Sequence, residues 1–103
     1  MEIGFSDARR QRIFSDLDLL RSQFGVDLAE KIAIRLFMLK AASNLAAVDT
    51  RRPIRLRPVK SGTREFTVDL AGDFKLRFRA RPSKDRRADL SSVVAIEILD
   101  VDA

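Results

Sequence analysis

Residues 65–81 read EFTVDLAGDFKLRFRAR, and the order of side chains in this stretch decides the fold. Phe66, Val68 and Leu70 alternate with Thr67 and Asp69, the two-residue period of a strand with one buried face. Ala71-Gly72-Asp73 supplies a turn. Beyond it Phe74, Leu76 and Phe78 continue the apolar face, while Lys75, Arg77, Arg79 and Arg81 occupy the opposite one. The expected product is a hairpin with an apolar back and a cationic front. Like charges in a row on one strand face repel one another, so the row points to something anionic lying on it.

Working outward, the 103 residues are enough for one domain with a core and too few for two. No apolar run reaches the length needed to cross a bilayer, and the first residues lack a signal-peptide pattern, so a cytoplasmic protein is expected. The chain has no Cys, His, Tyr or Trp. That excludes a thiolate nucleophile, a zinc site of the usual nitrogen and sulfur type, and a Ser-His-Asp triad. No metal or cofactor is expected, and acid–base chemistry falls to Lys, Arg or carboxylates. The net charge of +5 is concentrated between Arg51 and Arg87, where thirteen basic residues stand against Glu65, Asp69, Asp73 and Asp85. Such a distribution points to a polyanion, nucleic acid before membrane.

Met1 to Phe5 reads as an opening strand, with Ile3 and Phe5 on one side. Ser6 stands at the N-cap position and Asp7 in the first turn of a helix spanning Asp7 to Phe24, closed by Gly25. Asp27 and Glu30 form a capping box for a second helix. Its apolar residues, Phe37 and Met38 included, read as core. Ile54 to Arg57 alternates as a strand start or extended lead-in, Lys60 to Arg64 is a turn carrying two cations, and Arg81 to Ser92 is an exposed loop. Val93 to Val101 has apolar residues on both sides, as a strand interior to a sheet has. The order β-α-α-β-β-β makes an α+β fold, two helices packed on one face of a small, mostly antiparallel sheet, the other face being left to the cationic row.

Three segments, DLAEKIAIRLFMLKAASNLAAV (27–48), RLRPVKSGTREFTVDLAGDFKLRFRARP (55–82) and VVAIEILDVDA (93–103), carry a resemblance to toxins of the RelE/ParE superfamily, in particular the HigB-like plasmid-maintenance killer proteins. The resemblance implies a RelE-like fold and a type II toxin–antitoxin toxin, a ribosome-dependent mRNA endonuclease. It implies metal-free cleavage by attack of a ribose 2′-OH on the adjacent phosphate, and a cognate antitoxin, often a helix-turn-helix protein of the HigA kind. It places the basic catalytic positions at Lys60, Arg64 and Lys75, with Arg77 on the same face. Arg55, Arg57, Arg79 and Arg81 are the further candidates for RNA phosphate. Members of this group commonly end in a sequence like ILEVVDYH, whereas this chain ends ILDVDA, without the Tyr or the His. The last residues are lost, or this member never had them.

RNA self-cleavage needs a base for the 2′-OH, cations at the phosphate and an acid for the departing 5′-oxygen. Arg77 and Arg79 offer planar forks for phosphate oxygens and Lys75 a point charge. Lys60 is the candidate base, since neighbouring arginines favour the neutral amine. The acid is unassigned, and a missing general acid costs about 10² to 10⁴ in rate, so an attenuated nuclease is expected. Arg51, Arg52, Lys84, Arg86 and Arg87 read as solvated loop charges. Acids of the last strand, such as Glu97, offer the cationic row partners across the sheet. Two other readings stand beside the nuclease. One is a non-catalytic superfamily member, either a ParE-like gyrase poison or a degenerate toxin that only binds antitoxin. The other is an unrelated basic nucleic-acid-binding module.

Overall fold

The alternation in residues 65–80 forms the expected hairpin, and the rest of the sheet is built on it. The computed structural model describes residues 1–60, 64–81 and 89–103. Within them lie β1 (Glu2–Phe5), α1 (Ala8–Phe14), α2 (Leu17–Phe24), α3 (Val26–Ala41), β2 (Arg57–Pro58), β3 (Glu65–Asp69), β4 (Lys75–Ala80) and β5 (Ala95–Asp102). Short 3-10 turns occupy Leu45–Ala47 and Leu90–Ser92, the second inside the stretch expected to be loop throughout.

The strands are ordered β1-β5-β4-β3-β2. β1 pairs with β5 in parallel and the other neighbours are antiparallel, so the sheet is mixed. The parallel pair is possible because the three helices between β1 and the hairpin return the chain across one face. The architecture is α+β, three helices packed against one face of a five-stranded sheet. β5 is interior, as its apolar residues on both sides required.

The core lies between that face and the helices. Val68, Leu76, Phe78, Ile96 and Ile98 meet Phe14, Leu20, Ala29, Ile32 and Leu39 there, all buried. Phe66 and Phe78 stack across the hairpin with ring centroids 6.1 Å apart. Phe14 bridges Phe5 and Phe24 at 5.9 Å and 6.0 Å and ties β1 to the helices. Phe74, expected on the apolar face, is exposed because it belongs to the turn and the strand starts only at Lys75.

One long helix was expected over 7–24, and two are found. The Asp16 carboxylate accepts from the backbone N–H groups of Asp18 and Leu19, starting α2 where a continuous helix would have run on. We expect Asp16→Ala to cost about 1 kcal/mol of stability and Asp16→Asn to cost little, measured by urea denaturation. An unchanged midpoint for Asp16→Ala would remove the capping explanation of the break. The cap of α1 is Asp7 and not Ser6: its carboxylate accepts from Arg10 N–H at 2.8 Å. Arg10 then reaches Asp7 at 2.6 Å and Asp100 of β5 at 3.0 Å, fastening α1 to the sheet.

Gly25 closes α2 as expected, with φ 84°, and also opens α3. α3 has no side-chain cap, so Asp27 and Glu30 form no capping box; Asp27 lies inside the first turn, where it faces the positive helix end. Arg35 is the one buried charged residue among the described residues. Its Nε donates to the Asp69 carbonyl at 2.8 Å and its Nη2 to the Pro53 carbonyl at 3.4 Å, anchoring α3 to the end of β3. The Met1 amino group donates to the carbonyls of Leu39, Lys40 and Ala42 at the far end of α3.

Candidate nucleic-acid interface

The sheet face away from the helices carries the hairpin's polar side chains. On β4, Leu76, Phe78 and Ala80 point to the core and Lys75, Arg77 and Arg79 point outward, as the alternation requires. The neighbours change the meaning of that row. In register, β3 sets Glu65 beside Arg79, Thr67 beside Arg77 and Asp69 beside Lys75. β5 sets Glu97 beside Arg79, Asp100 beside Arg77 and Asp102 beside Lys75. The face is a cationic strand between two acidic ones.

The acids of β5 face outward because of one irregularity. Phe78 pairs with Ile98 but Arg77 pairs with Asp100, leaving Leu99 as an extra residue. Strict alternation from Glu97 would turn Asp100 and Asp102 toward the core. The one-residue bulge reverses the parity, so Asp102 turns to Arg77 of β4, while the Asp100 carboxylate goes to Arg10 of α1.

Arg77 takes the consequence. Its Nε donates to Asp102 Oδ2 at 2.7 Å and its Nη1 to Glu65 Oε1 at 2.8 Å. The Asp102 carboxylate, then that of Glu65, holds the guanidinium above its ordinary proton affinity, so Arg77 is a fixed cation. Pairing across the sheet was expected of acids of the last strand such as Glu97; Asp102 of that strand does pair with Arg77, Glu65 of β3 joins it, and Glu97 itself only stands opposite Arg79.

The remaining predicted residues divide between the two ends of the hairpin. Lys75 lies at the turn end, with no ion-pair partner among the described residues. Arg57 is exposed and level with Thr67, one strand further out. Arg55 has φ 50°, in the left-handed region, and pairs with Asp69 Oδ2 at 3.5 Å. The other Asp69 oxygen, Oδ1, is buried without a partner. At the opposite end Arg64 spends its guanidinium on the backbone, donating to the carbonyls of Ala80 at 3.2 Å and Arg81 at 3.0 Å. That geometry makes it a clasp of the hairpin. Lys60 is exposed near this end, since Val59 N–H bonds to the Glu65 carbonyl. Arg79 is exposed. Arg81 lies past the end of β4, its guanidinium folded against Gly4 of β1, where a Cβ would meet Nη2 at 1.8 Å. Of the turn expected over 60–64, residues 61–63 lie outside the described residues, as do residues 82–88, which include Lys84, Arg86 and Arg87.

The four basic catalytic candidates are therefore not one cluster. Four residues of strand separate the Lys75–Asp69 level from the Arg79–Glu65 level, about 13 Å at the strand rise. Lys75 and Arg77 are neighbours; Lys60 and Arg64 belong to the other end. Around Lys75 the face has a shallow groove lined by Arg57, Thr67, Lys75, Arg77 and Asp102. Two exposed cations, a hydroxyl and a carboxylate thus converge in one concavity. Thr67 and Asp102 escaped the sequence reading, which ranked cations only. The signal for Asp102 was its place two residues after Asp100 at the end of the last strand, and the bulge was needed to read it.

Fold and face together define a small α+β domain with an open, charge-striped sheet surface. Comparisons with protein-family models, curated proteins and solved structures found no match to this chain. Among the described residues no group of three or more His, Cys, Asp or Glu is disposed to hold a metal ion, and no helix is long and apolar enough to cross a membrane.

Proposed function

We propose that the groove at the turn end of the hairpin binds RNA phosphate. On this reading the chain is a RelE/HigB-like toxin of a type II toxin–antitoxin system: a metal-independent mRNA endoribonuclease of attenuated activity, acting on the ribosome in the cytoplasm. The observation that carries the reading is the convergence of exposed Arg57 and Lys75 with Thr67, Arg77 and Asp102 on the helix-free face. Arg57 and Lys75 are the phosphate contacts, one a planar fork and the other a point charge. Asp102 is the carboxylate able to accept the 2′-OH proton as the 2′-oxygen bonds to phosphorus and the P–O5′ bond breaks, the departing 5′-oxygen taking its proton from water, and Arg77 positions Asp102 through the 2.7 Å bond to Oδ2. As charge grows on the phosphate, Lys75 is the cation placed to stabilise it.

The test has a binding arm and a cleavage arm. In the first, anisotropy of a 2′-deoxy-substituted RNA is followed from 50 to 200 mM salt. Lys75→Ala and Arg57→Ala should each weaken binding and flatten the log–log salt slope by about 0.7, one single-strand phosphate contact. Arg9→Ala, on the exposed face of α1, is the control and should change little. Equal slopes for all three variants would remove the groove as the RNA site. In the second arm, mRNA on translating ribosomes is examined for 2′,3′-cyclic phosphate ends, which Asp102→Asn should reduce at least tenfold. The separation of Lys60 and Arg64 from Lys75 favours a second reading, a member that binds without cutting. Intact binding with no cyclic-phosphate ends in the parent protein would select it.

A further inference from the structure

The helical layer has an apolar surface that the fold leaves uncovered. The second helix was expected to pack its apolar side, more than half its circumference, into the core, with Phe37 included. Instead Phe37 is 75 % exposed and Val26 62 %, and Ile34 and Leu17 are nearly half exposed. Single exposed apolar residues are unremarkable, but of the seven large apolar side chains exposed among the described residues four lie together on α2 and α3. α3 buries Ala29, Ile32, Arg35 and Leu39 against the sheet. Its opposite side repeats Val26, Glu30, Ala33 and Phe37 at spacings of four, three and four, the seam of a helix that packs against another helix.

We infer that the chain forms a two-fold homodimer in which the exposed sides of α3 pack antiparallel. Shape and charge both select a second copy. Phe37 stands as a ridge between two hollows, one beside α2 lined by Leu17, Val26, Ala33 and Ile34, the other beside β1 lined by Ile3, Phe5 and Phe14. A surface holding both a knob and a hole is what a two-fold contact requires, because each patch must fit itself. An axis at the level of Arg35 sets Phe37 over Ala33 of the other copy and Glu30 level with its Lys40. The acids of α3, Asp27 and Glu30, lie in its first half and Lys40 in its last turn. Antiparallel pairing therefore joins opposite charges twice and opposes the helix dipoles favourably, whereas parallel pairing would align like with like. Neither Glu30 nor Lys40 has an ion-pair partner among the described residues. The dimer covers the helical layer and leaves both sheet faces open, so it is independent of the RNA reading.

Sedimentation equilibrium of the full chain between about 1 µM and 1 mM tests this. The parent is expected to move from monomer to dimer across the range. Phe37→Asp should weaken association by tenfold or more, a central hot-spot effect, with an unchanged far-UV spectrum because the ring is already in solvent. Val26→Asp repeats the test at the end of the seam should the first variant fold poorly. Glu30→Lys and Lys40→Glu should each weaken association and the double exchange should restore it. A parent that stays monomeric at 1 mM, or a Phe37→Asp and Val26→Asp pair that dimerises like the parent, overturns the inference. Single exchanges that weaken association without rescue in the double variant overturn the antiparallel register.

Discussion

Phe78→Ala is expected to lower the free energy of unfolding by about 3–5 kcal/mol. Phe78 is fully buried at the centre of β4, stacked on Phe66 and paired in register with Ile98 at the bulge. Truncation removes the aromatic surface from the core and leaves a cavity between two strands held by backbone hydrogen bonds, which collapse little to fill it. A domain of this size has only about 5–15 kcal/mol in total, so the variant should be partly unfolded at 37 °C. Phe78→Leu keeps most of the volume and should cost under about 1.5 kcal/mol. Urea denaturation midpoints decide the matter. A loss for Phe78→Ala below about 1 kcal/mol would place the ring outside the core and with it the inward face of β4.

Arg77→Ala carries the second large effect, about 2 kcal/mol, within the range for hydrogen bonds between charged partners. The residue is neither fully buried nor solvated, which sets the value above that of a surface ion pair and below that of a buried one. The change removes the 2.7 Å donor of Asp102 and one donor to Glu65, and it leaves two acidic strands facing each other with their central cation gone. A double-mutant cycle with Asp102→Ala should give a coupling of about 1 kcal/mol, smaller in 1 M salt, where the Debye length is about 3 Å. A coupling near zero would show that the pair is solvent-separated. The sign with pH follows from the raised proton affinity of Arg77. Its contribution is complete below the ordinary arginine value and is lost only as pH rises through the higher folded-state value, beyond the range in which the fold is otherwise stable. Loss on the acid side instead comes from carboxylates such as Asp7. Its carboxyl is held below the usual range, first by the backbone N–H of Arg10, so its contribution exists above the usual carboxylate value and fades as pH falls through the lower folded one. Asp7→Asn should flatten that limb of the stability curve.

The hairpin was legible because its period is local: Phe66, Val68 and Leu70 are two apart, as are Phe74, Leu76 and Phe78 beyond the turn, and a pleated strand turns such a sequence into two faces without reference to other segments. The interior place of β5 was legible for the same reason. The break at Asp16 was not, because Ile13, Phe14, Leu17 and Leu20 keep helical spacing through it and only the cap distinguishes one helix from two. Nor was the exposure of Phe37. Helical periodicity shows that a side is apolar but not that a neighbour covers it, and α3 has more apolar circumference than the sheet and α2 occupy. At the candidate site the cations were found and their arrangement was not. Lys75 is separated from Lys60 and Arg64 by the length of the hairpin, a distance fixed by the register of β3 on β4.

By itself, the sequence determined the two-faced hairpin, the helices laid against one side and a cationic strand on the other, because alternation and helical spacing act over neighbouring residues. Only the tertiary structure decided what that strand meets. The extra residue at Leu99 turns Asp100 and Asp102 outward, and a shift of one position in a two-residue period moves a side chain from one face of the sheet to the other. The same bulge gives Arg77 its second carboxylate and the groove its acid.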